Sequence, residues 1–351
     1  VISRKPSGSS CETTISNIVV KELDDLTFTR TGFYRVIDKN LLFPLVAFKE
    51  VAKEWKDADI LHIVSSSLFL PAGYIAKKAL DTSVVVSLIE DVWNRPSGRL
   101  IFEPYFRFQR LQLRMALQFS DAILVHSDHA FQQIKKEDTS NFHKVTKIYQ
   151  GVDPSFLRDV DAEEPQYHGL QNEPIVLSAG SLTRGKNIET VIRAVRKVLS
   201  KGFKVKLVVA GDGPHKHRLK RLVSQLKLTD SVAFIGQVKH QMMPALCRTA
   251  HVLVQSSKSE GGLPAFSVLE FLASGRPVIV SEACDRFNIL GDCVLRFKPD
   301  DEDELSKQII GVLVDKELRE TLGRRAVELV RERFSLQSFF NQVEAVYERI
   351  C

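Results

Sequence analysis

The sequence predicts an α/β protein made of two doubly wound domains, each a parallel sheet with helices on its faces. Three observations lead there. Short apolar runs that end in polar or glycine-containing turns alternate with stretches whose apolar residues recur at helical spacing, which is the pattern of successive βαβ units. At 351 residues the chain is long enough for two cores of ordinary size. A polar stretch at 161–172, with Glu163-Glu164-Pro165, separates two such alternating series. It reads as a linker between an N-terminal domain over residues 1–165 and a C-terminal domain over residues 166–351.

Composition narrows the class. The hydrophobic fraction of 44% and charged fraction of 26% are those of a soluble globular protein. No apolar run approaches a membrane span, and no secretory signal is read at the start. Cys11, Cys247, Cys284, Cys293 and Cys351 show neither CxxC nor zinc-ligand spacing, so free thiols in a reducing cytoplasm are expected, and no metal site. The net charge of +6 suits an anionic substrate or membrane surface and is too diffuse to argue for nucleic acid. A cytoplasmic protein, at most peripheral to the inner face of the membrane, is the expectation.

In chain order, residues 1–23 hold a short strand, a Ser/Gly-rich turn and a second strand-like run at 15–23. Residues 41–55 place Leu42, Val46, Phe48, Val51, Ala52 and Trp55 at helical spacing. DILHIV at 59–64 reads as a buried strand, Ser65–Ser67 as a polar loop and 68–80 as a helix. A second buried strand at 83–88 runs into Glu90-Asp91. Ligands of parallel sheets sit beyond the C-terminal ends of strands, so Ser65, Glu90 and Asp91 mark a candidate site edge, although ordinary loop chemistry accounts for them equally well. Residues 95–119 mix Arg95, Arg99, Arg107, Arg110 and Arg114 with Phe102, Tyr105, Phe106, Phe108 and Phe119. Such a segment either lies on an anionic membrane or packs as a helix with its arginines in water. Strands at 121–127 and 144–152 complete the first series.

The second series runs strand 174–179, loop GSLTRGK at 180–186, helix 187–199, strand 204–210, turn GDGP at 211–214, a basic helix, and strand 232–235 ending at Gly236. A short helix at 242–248, a strand at 251–255, a strand at 294–297 and terminal helices complete it. Residues 256–279, SSKSEGGLPAFSVLEFLASGRPVI, organise the whole. A strand feeds a glycine-containing loop and then a helix, an arrangement that aims a helix N-terminus and free backbone N–H groups at a phosphate. Glu260 and Glu270 flank this cradle. A carboxylate there does not hold phosphate; it suits the hydroxyls of a ribose or sugar, which makes the stretch a candidate nucleotide-sugar site. The competing reading is a capping box from Ser267 to Glu270, with Gly275-Arg276-Pro277 as an ordinary helix stop. Lys186 and Arg184 are the charges placed to hold a diphosphate.

Four motifs in fixed order carry a resemblance: residues 176–192, VVAGDGP at 208–214, VAFIGQV at 232–238 and SEGGLPAFSVLEFLASGRPVIVS at 259–281. Together they resemble the C-terminal domain of the retaining nucleotide-sugar glycosyltransferases of family four. The N-terminal half is similar more loosely, through DILHIV, DAILVHSDHA and YQGVD. The resemblance implies the GT-B fold, with two Rossmann-like domains facing across a cleft and the last helix packing back toward the N-terminal domain. It implies sugar transfer from a nucleotide diphosphate-sugar to an acceptor hydroxyl, with retention at the anomeric carbon and no cofactor or metal. The acceptor would be a glycan or lipid-linked glycan. By position, Lys186 and Glu260 would be the catalytic pair, and Gly180, Ser181, Arg184, Lys186, Gly211, Gly236, Gln237 and Val238 would contact the donor. So would Glu260, Gly261, Gly262, Leu263, Pro264, Ala265, Phe266 and Ser267, with Glu270 on the ribose.

Some positions depart from the family pattern. Ser181 stands where an arginine is common, and nine residues rather than seven separate Glu260 from Glu270, with Gly262 at the usual position. Glu90 stands where a cleft histidine is often found, if Asp91 is the aspartate that follows it. The chain also reads as beginning at the family's second strand, without its first strand and Gly-rich loop. Two other readings therefore stand beside the transferase: a non-catalytic paralogue or fragment that binds nucleotide or a partner, and a different GT-B enzyme such as a sugar-nucleotide epimerase.

Overall fold

The computed structural model describes residues 2–4, 12–15, 18–23, 58–65, 70–80, 82–88, 103–157, 173–258, 265–285 and 287–351. The helix expected at 41–55 and the linker at 161–172 lie outside them. The chain divides into two units, Val1–Ile148 with Val343–Cys351, and Tyr149–Gln342. The division falls ahead of the polar stretch because Val152 and Phe156 are buried in the C-terminal core. Val152 also bridges in parallel to Ser335.

In the first unit, β1 (Ile2–Arg4), β2 (Glu12–Ile15) and β3 (Ile18–Leu23) form a small sheet of order β1-β3-β2. A parallel sheet of order β4-β5-β6-β7 follows. Its strands are β4 (Ile60–Ser65), β5 (Ser83–Leu88), β6 (Ala122–Val125) and β7 (Val145–Lys147). The last strand is shorter than the run of apolar residues suggested, since the chain turns away at Ile148. The connecting helices are α1 (Leu70–Leu80), α2 (Glu103–Phe119) and α3 (Asp128–Glu137). Ile63, Val84, Val86, Ile123 and Val125 face Leu113, Ala116 and Leu117 of α2 and Ala130 and Ile134 of α3. Ser127 caps α3 by accepting from the Ala130 N–H, and Lys135 and Lys136 complement the dipole of its last turn.

The second unit holds a six-stranded, wholly parallel sheet of order β10-β9-β8-β11-β12-β13. In chain order its elements are β8 (Ile175–Ala179), α4 (Ile188–Ser200), β9 (Lys206–Ala210), α5 (Lys216–Gln225) and β10 (Val232–Gly236). Then come α6 (Met243–Thr249), β11 (Val252–Gln255), α7 (Phe266–Ala273), β12 (Val278–Ser281) and β13 (Leu295–Phe297). Three helices close the chain: α8 (Glu302–Val314), α9 (Lys316–Arg333) and α10 (Leu336–Ile350). Counted from β8, the order is that of a dinucleotide-binding doubly wound sheet. Alternate residues serve opposite cores. Leu177, Leu253, Val278 and Val280 meet α6, α7 and α9, while Val176, Leu207, Val209, Val254 and Ile279 meet α4, α5 and α8. Burial on both faces explains why these strands read as continuous apolar runs rather than as alternating ones.

A half-buried polar cluster ties the last turns of α10 into the first unit. His62 on β4 bonds Ser87 Oγ through Nε2 at 2.7 Å and the Tyr347 hydroxyl through Nδ1. Ser83 Oγ donates to the Ile350 carbonyl at 3.3 Å. Desolvation, reinforced by nearby His126, pushes His62 down to about 4, and burial lowers His126 as well. A neutral imidazole suits both partners, since one ring nitrogen donates and the other accepts. Between the folded value near 4 and an ordinary value near 6.5, the unfolded chain binds the extra proton. Stability is therefore fully present above about pH 6.5 and falls on acidification toward pH 4, by on the order of 3 kcal/mol at most for this group. Denaturant melts across this range should show the fall, and His62→Gln should flatten it; an unchanged pH slope in the variant would remove His62 as its source.

Candidate functional site

Because every strand of the six-stranded sheet runs the same way, all its C-terminal ends share one edge. The topological switch lies between β8 and β11, whose onward connections depart to opposite sides. Loops from four strands are knitted together there by backbone bonds. The Gly180 N–H donates to the Ala210 carbonyl at 3.0 Å and the Leu182 N–H to Asp212 at 2.9 Å. His215 N–H returns to Leu182 at 2.9 Å, and Gly211 N–H reaches the Gly236 carbonyl at 2.6 Å. On the other flank, Ser256 Oγ donates to the carbonyls of Lys186 and Asn187 at 2.9 and 3.1 Å. The Lys258 N–H donates to Gly185 at 2.8 Å.

Glycine is obligatory at two of these crossings. A Cβ on Gly211 would lie 1.9 Å from the Gly180 carbonyl oxygen, and one on Gly213 would lie 2.6 Å from that of Leu182. Both also adopt positive φ, +132° and +158°. The GDGP turn is thus a joint between two loops. Asp212 accepts from the Gly213 N–H at 2.7 Å and from Lys216 Nζ at 2.6 Å, and the lysine chiefly holds its carboxyl below the usual range.

The expected basic residues follow β8. Arg184–Lys186 make one 3-10 turn, Asn187 takes the left-handed conformation at φ 54°, and α4 begins at Ile188. Arg184 is exposed and Lys186 half-buried, both beside the backbone crossings above. Gly180 and Ser181 are exposed at the end of β8. Gly236, Gln237 and Val238 follow β10. Gly180, Ser181, Arg184, Lys186, Gly211, Gly236, Gln237 and Val238 therefore gather on one edge.

Residues 259–264, with Glu260, Gly261, Gly262, Leu263 and Pro264, lie outside the described residues. The remainder of that motif is on α7. Its N-cap is Ala265, no side chain caps it, and Phe266 is 53% exposed at its first turn. This corrects the capping-box reading: Ser267 is already inside the helix, so Glu270 cannot be its reciprocal cap. The expected stop does hold, with Gly275 at φ +71° and its N–H bonded to the Leu272 carbonyl at 3.1 Å.

Glu270 is instead a mostly buried carboxylate, with its side chain 18% exposed. Its pKa is raised, chiefly by burial and further by Asp153, against the lowering effect of His240. His240, in the loop after β10, has Nδ1 3.8 Å from Glu270 Oε1 and Nε2 3.7 Å from Asp153 Oδ2. Its ring packs on Phe156, with centroids 5.6 Å apart. Sequence reasoning did not single out His240 or Asp153, because a lone histidine before a short helix carries no local signal. Asp300, bonded to Lys258 at 2.7 Å and to the Thr190 hydroxyl at 3.4 Å, was likewise unforeseen.

On the acceptor side, Ser65 is the last residue of β4 in the first unit. Glu90, Asp91 and residues 95–102 lie outside the described residues. Among those described, no group of three His, Cys, Asp or Glu side chains is arranged to hold a metal ion. No described helix is long and apolar enough to cross a membrane. Cys247, Cys284 and Cys293 are buried free thiols and Cys351 an exposed one.

Comparison with known proteins places this geometry. Residues 160–328 match the family described as Glycosyl transferases group 1. The chain is 25% identical over 244 residues to the alpha-D-kanosaminyltransferase of Streptomyces kanamyceticus, covering 68% of this chain and 62% of that relative. Among solved structures it is similar to sucrose-phosphate synthase from Thermosynechococcus elongatus, with TM-score 0.82 and 20% identity over 99% of this chain and 88% of that one. Anabaena HepE in complex with UDP gives TM-score 0.76 and 15% identity over 95% and 87%. Two parallel-sheet units matching these structures give the chain the GT-B fold.

The raised pKa of Glu270 sets an expectation. The folded state holds its proton to higher pH than the unfolded chain, so stability declines as pH rises through that raised value. Glu270→Gln removes the buried charge and should leave the melting temperature at pH 7 equal or higher. Melting curves check this, and a clear loss of stability would mean the carboxylate braces the fold.

Proposed function

We propose, from the premise that residues 160–328 of this chain belong to the group 1 glycosyl transferases, that the protein moves a sugar from a nucleoside diphosphate-sugar to an acceptor hydroxyl. The bond from anomeric carbon to donor phosphate oxygen breaks, the acceptor oxygen takes that carbon on the same face, and its proton leaves with the diphosphate. The observation that carries the reading is the knitted edge at the β8/β11 switch, with Lys186 and Arg184 beside it. Preformed cations and backbone dipoles favour the charge that develops on a departing diphosphate and need no reorganisation as it forms. That role needs no bound metal. At the other end of the same edge, Glu270 offers a carboxylate to ribose hydroxyls, and backbone at 236–238 frames the base. Glu260 is assigned to the sugar and Ser65 to the acceptor side.

The acceptor is read as a glycan or lipid-linked glycan. What supports a lipid surface is the outward face of α2. Leu111 is 55% and Met115 40% exposed, and they share a helical stripe with exposed Arg107 and Arg114. Vesicles rich in anionic phospholipid should sediment the protein, and Leu111→Ser with Met115→Ser should reduce this; equal binding to neutral vesicles would end the electrostatic part of the reading.

A second reading, nucleotide binding without turnover, is favoured by Ser181, which stands exposed at the head of the phosphate loop where a further cation would serve the diphosphate. Metal-free calorimetric titration with UDP, GDP and ADP tests both. One nucleotide should bind saturably, and Lys186→Ala should weaken it by about tenfold or more, as expected for a lost charge-assisted contact. Binding without sugar release from the matching nucleotide sugar would select the second reading, and no binding by any of the three would overturn the donor site.

A further inference from the structure

We propose that His240 is the positioning residue that keeps Glu270 ionised for the nucleoside, so that donor affinity depends on pH through this pair. The inference rests on the donor-site reading above and concerns the regulation of that same site. Its basis is a juxtaposition of three segments far apart in sequence. The turn after β7 brings Asp153, the loop after β10 brings His240, and the middle of α7 brings Glu270.

The imidazole sits between two carboxylates, 3.7 Å from Asp153 Oδ2 and 3.8 Å from Glu270 Oε1. Phe156 backs the ring, with centroids 5.6 Å apart. His240 also lies in the loop that begins with Gly236, Gln237 and Val238, so the residues assigned to the base and the side chain assigned to the ribose are joined through it. Glu270 is the more buried carboxylate, 18% exposed against 48% for Asp153. Among the described residues, several groups act on the pair. Asp153 repels Glu270, and its own carboxyl is held low first by bonds from Ser155 and then by His240. Cys247 on α6 lies nearby as a neutral thiol whose pKa burial drives up, and Arg248 beside it bonds the Ser155 carbonyl at 3.5 Å.

The consequence follows from charge. A buried carboxylate beside a second carboxylate resists ionisation, and only an ionised one accepts from both ribose hydroxyls. An imidazolium between the two offsets both costs. His240 therefore extends ribose binding toward acid pH, while Asp153 holds the ring in place.

The experiment is titration of the whole chain with UDP, GDP and ADP from about pH 5 to 8, for wild type, His240→Ala and His240→Lys, with inorganic pyrophosphate as the probe lacking ribose. In wild type, affinity should fall on acidification through the Glu270 pKa. In His240→Ala the fall should begin at higher pH than in wild type, leaving binding at the acid end of the range weaker by up to about tenfold. His240→Lys, which keeps the charge, should restore the wild-type midpoint. Pyrophosphate affinity should follow one pH profile in all three proteins, and in a Glu270→Gln background His240→Ala should have no further effect. An identical midpoint in wild type, Ala and Lys variants, or an equal effect on pyrophosphate, overturns the role of His240 while leaving the donor site standing. Failure of all three nucleotides to bind the wild-type chain overturns the donor site and this inference with it.

Discussion

The C-terminal unit depends on how closely two backbone loops can approach. Where β8 and β9 end, the Gly211 α-carbon faces the Gly180 carbonyl so closely that a methyl group there would stand 1.9 Å from the oxygen. No rotamer relieves such a clash, because neither party is a side chain. The approach permits the Gly180–Ala210 and Leu182–Asp212 bonds, and Gly236 extends the seam to β10. Ser256 closes it on the β11 side by serving two consecutive carbonyls with one hydroxyl. Loops tethered this way to a buried parallel sheet hold their dipoles in place before a ligand arrives, and preorganisation is what an anion site needs most.

Much of this was legible in the sequence, for a physical reason. Strands buried on both faces, helices with one apolar stripe, and glycines where chains must cross each leave a local signature. So β8, β9, α4 and β11 fall within a residue or two of their expected bounds. The glycines of GDGP were expected to allow close approach, and they do; what they approach is the neighbouring loop. Misreadings arose where a local pattern competes with a tertiary one. S-x-x-E at Ser267–Glu270 satisfies the rule for a capping box, yet the helix starts earlier, at Phe266, because Val268, Leu269, Phe271 and Leu272 must meet the core in that register. The run at 144–152 is apolar enough for a long strand, but only three residues pair, and Val152 bridges instead to Ser335. His240 was invisible because its neighbours, Asp153 and Glu270, are distant in the chain.

The first unit shows the opposite economy. Its described sheet has a polar nucleus in which His62, Ser87 and Tyr347 satisfy one another. A largely desolvated imidazole with a partner on each nitrogen is costly to break, since any one truncation strands a desolvated group. The arrangement specifies where the end of α10 docks more sharply than apolar packing alone, which tolerates sliding. The last residues of the chain are thereby counted with the first unit although the first turns of α10 precede that division.

Charge along the edge of the second unit is not uniform, and the proposed ligand explains why that matters. Around the β8 and β11 loops stand Arg184, Lys186 and exposed backbone; around α7 and the loop after β10 stand Glu270 and Asp153, with His240 between them. A simple anion would find only the first end attractive, and a neutral sugar would find no charge worth its desolvation. A molecule that is anionic at one end and rich in hydroxyl donors at the other meets complementary chemistry at both, and is oriented by the difference. Burial makes Glu270 the sensitive member, because a desolvated carboxylate resists ionisation. Control over such a site is therefore exerted most economically at its carboxylate end, where the protonation of one buried carboxyl decides whether a ribose finds an acceptor or a second donor.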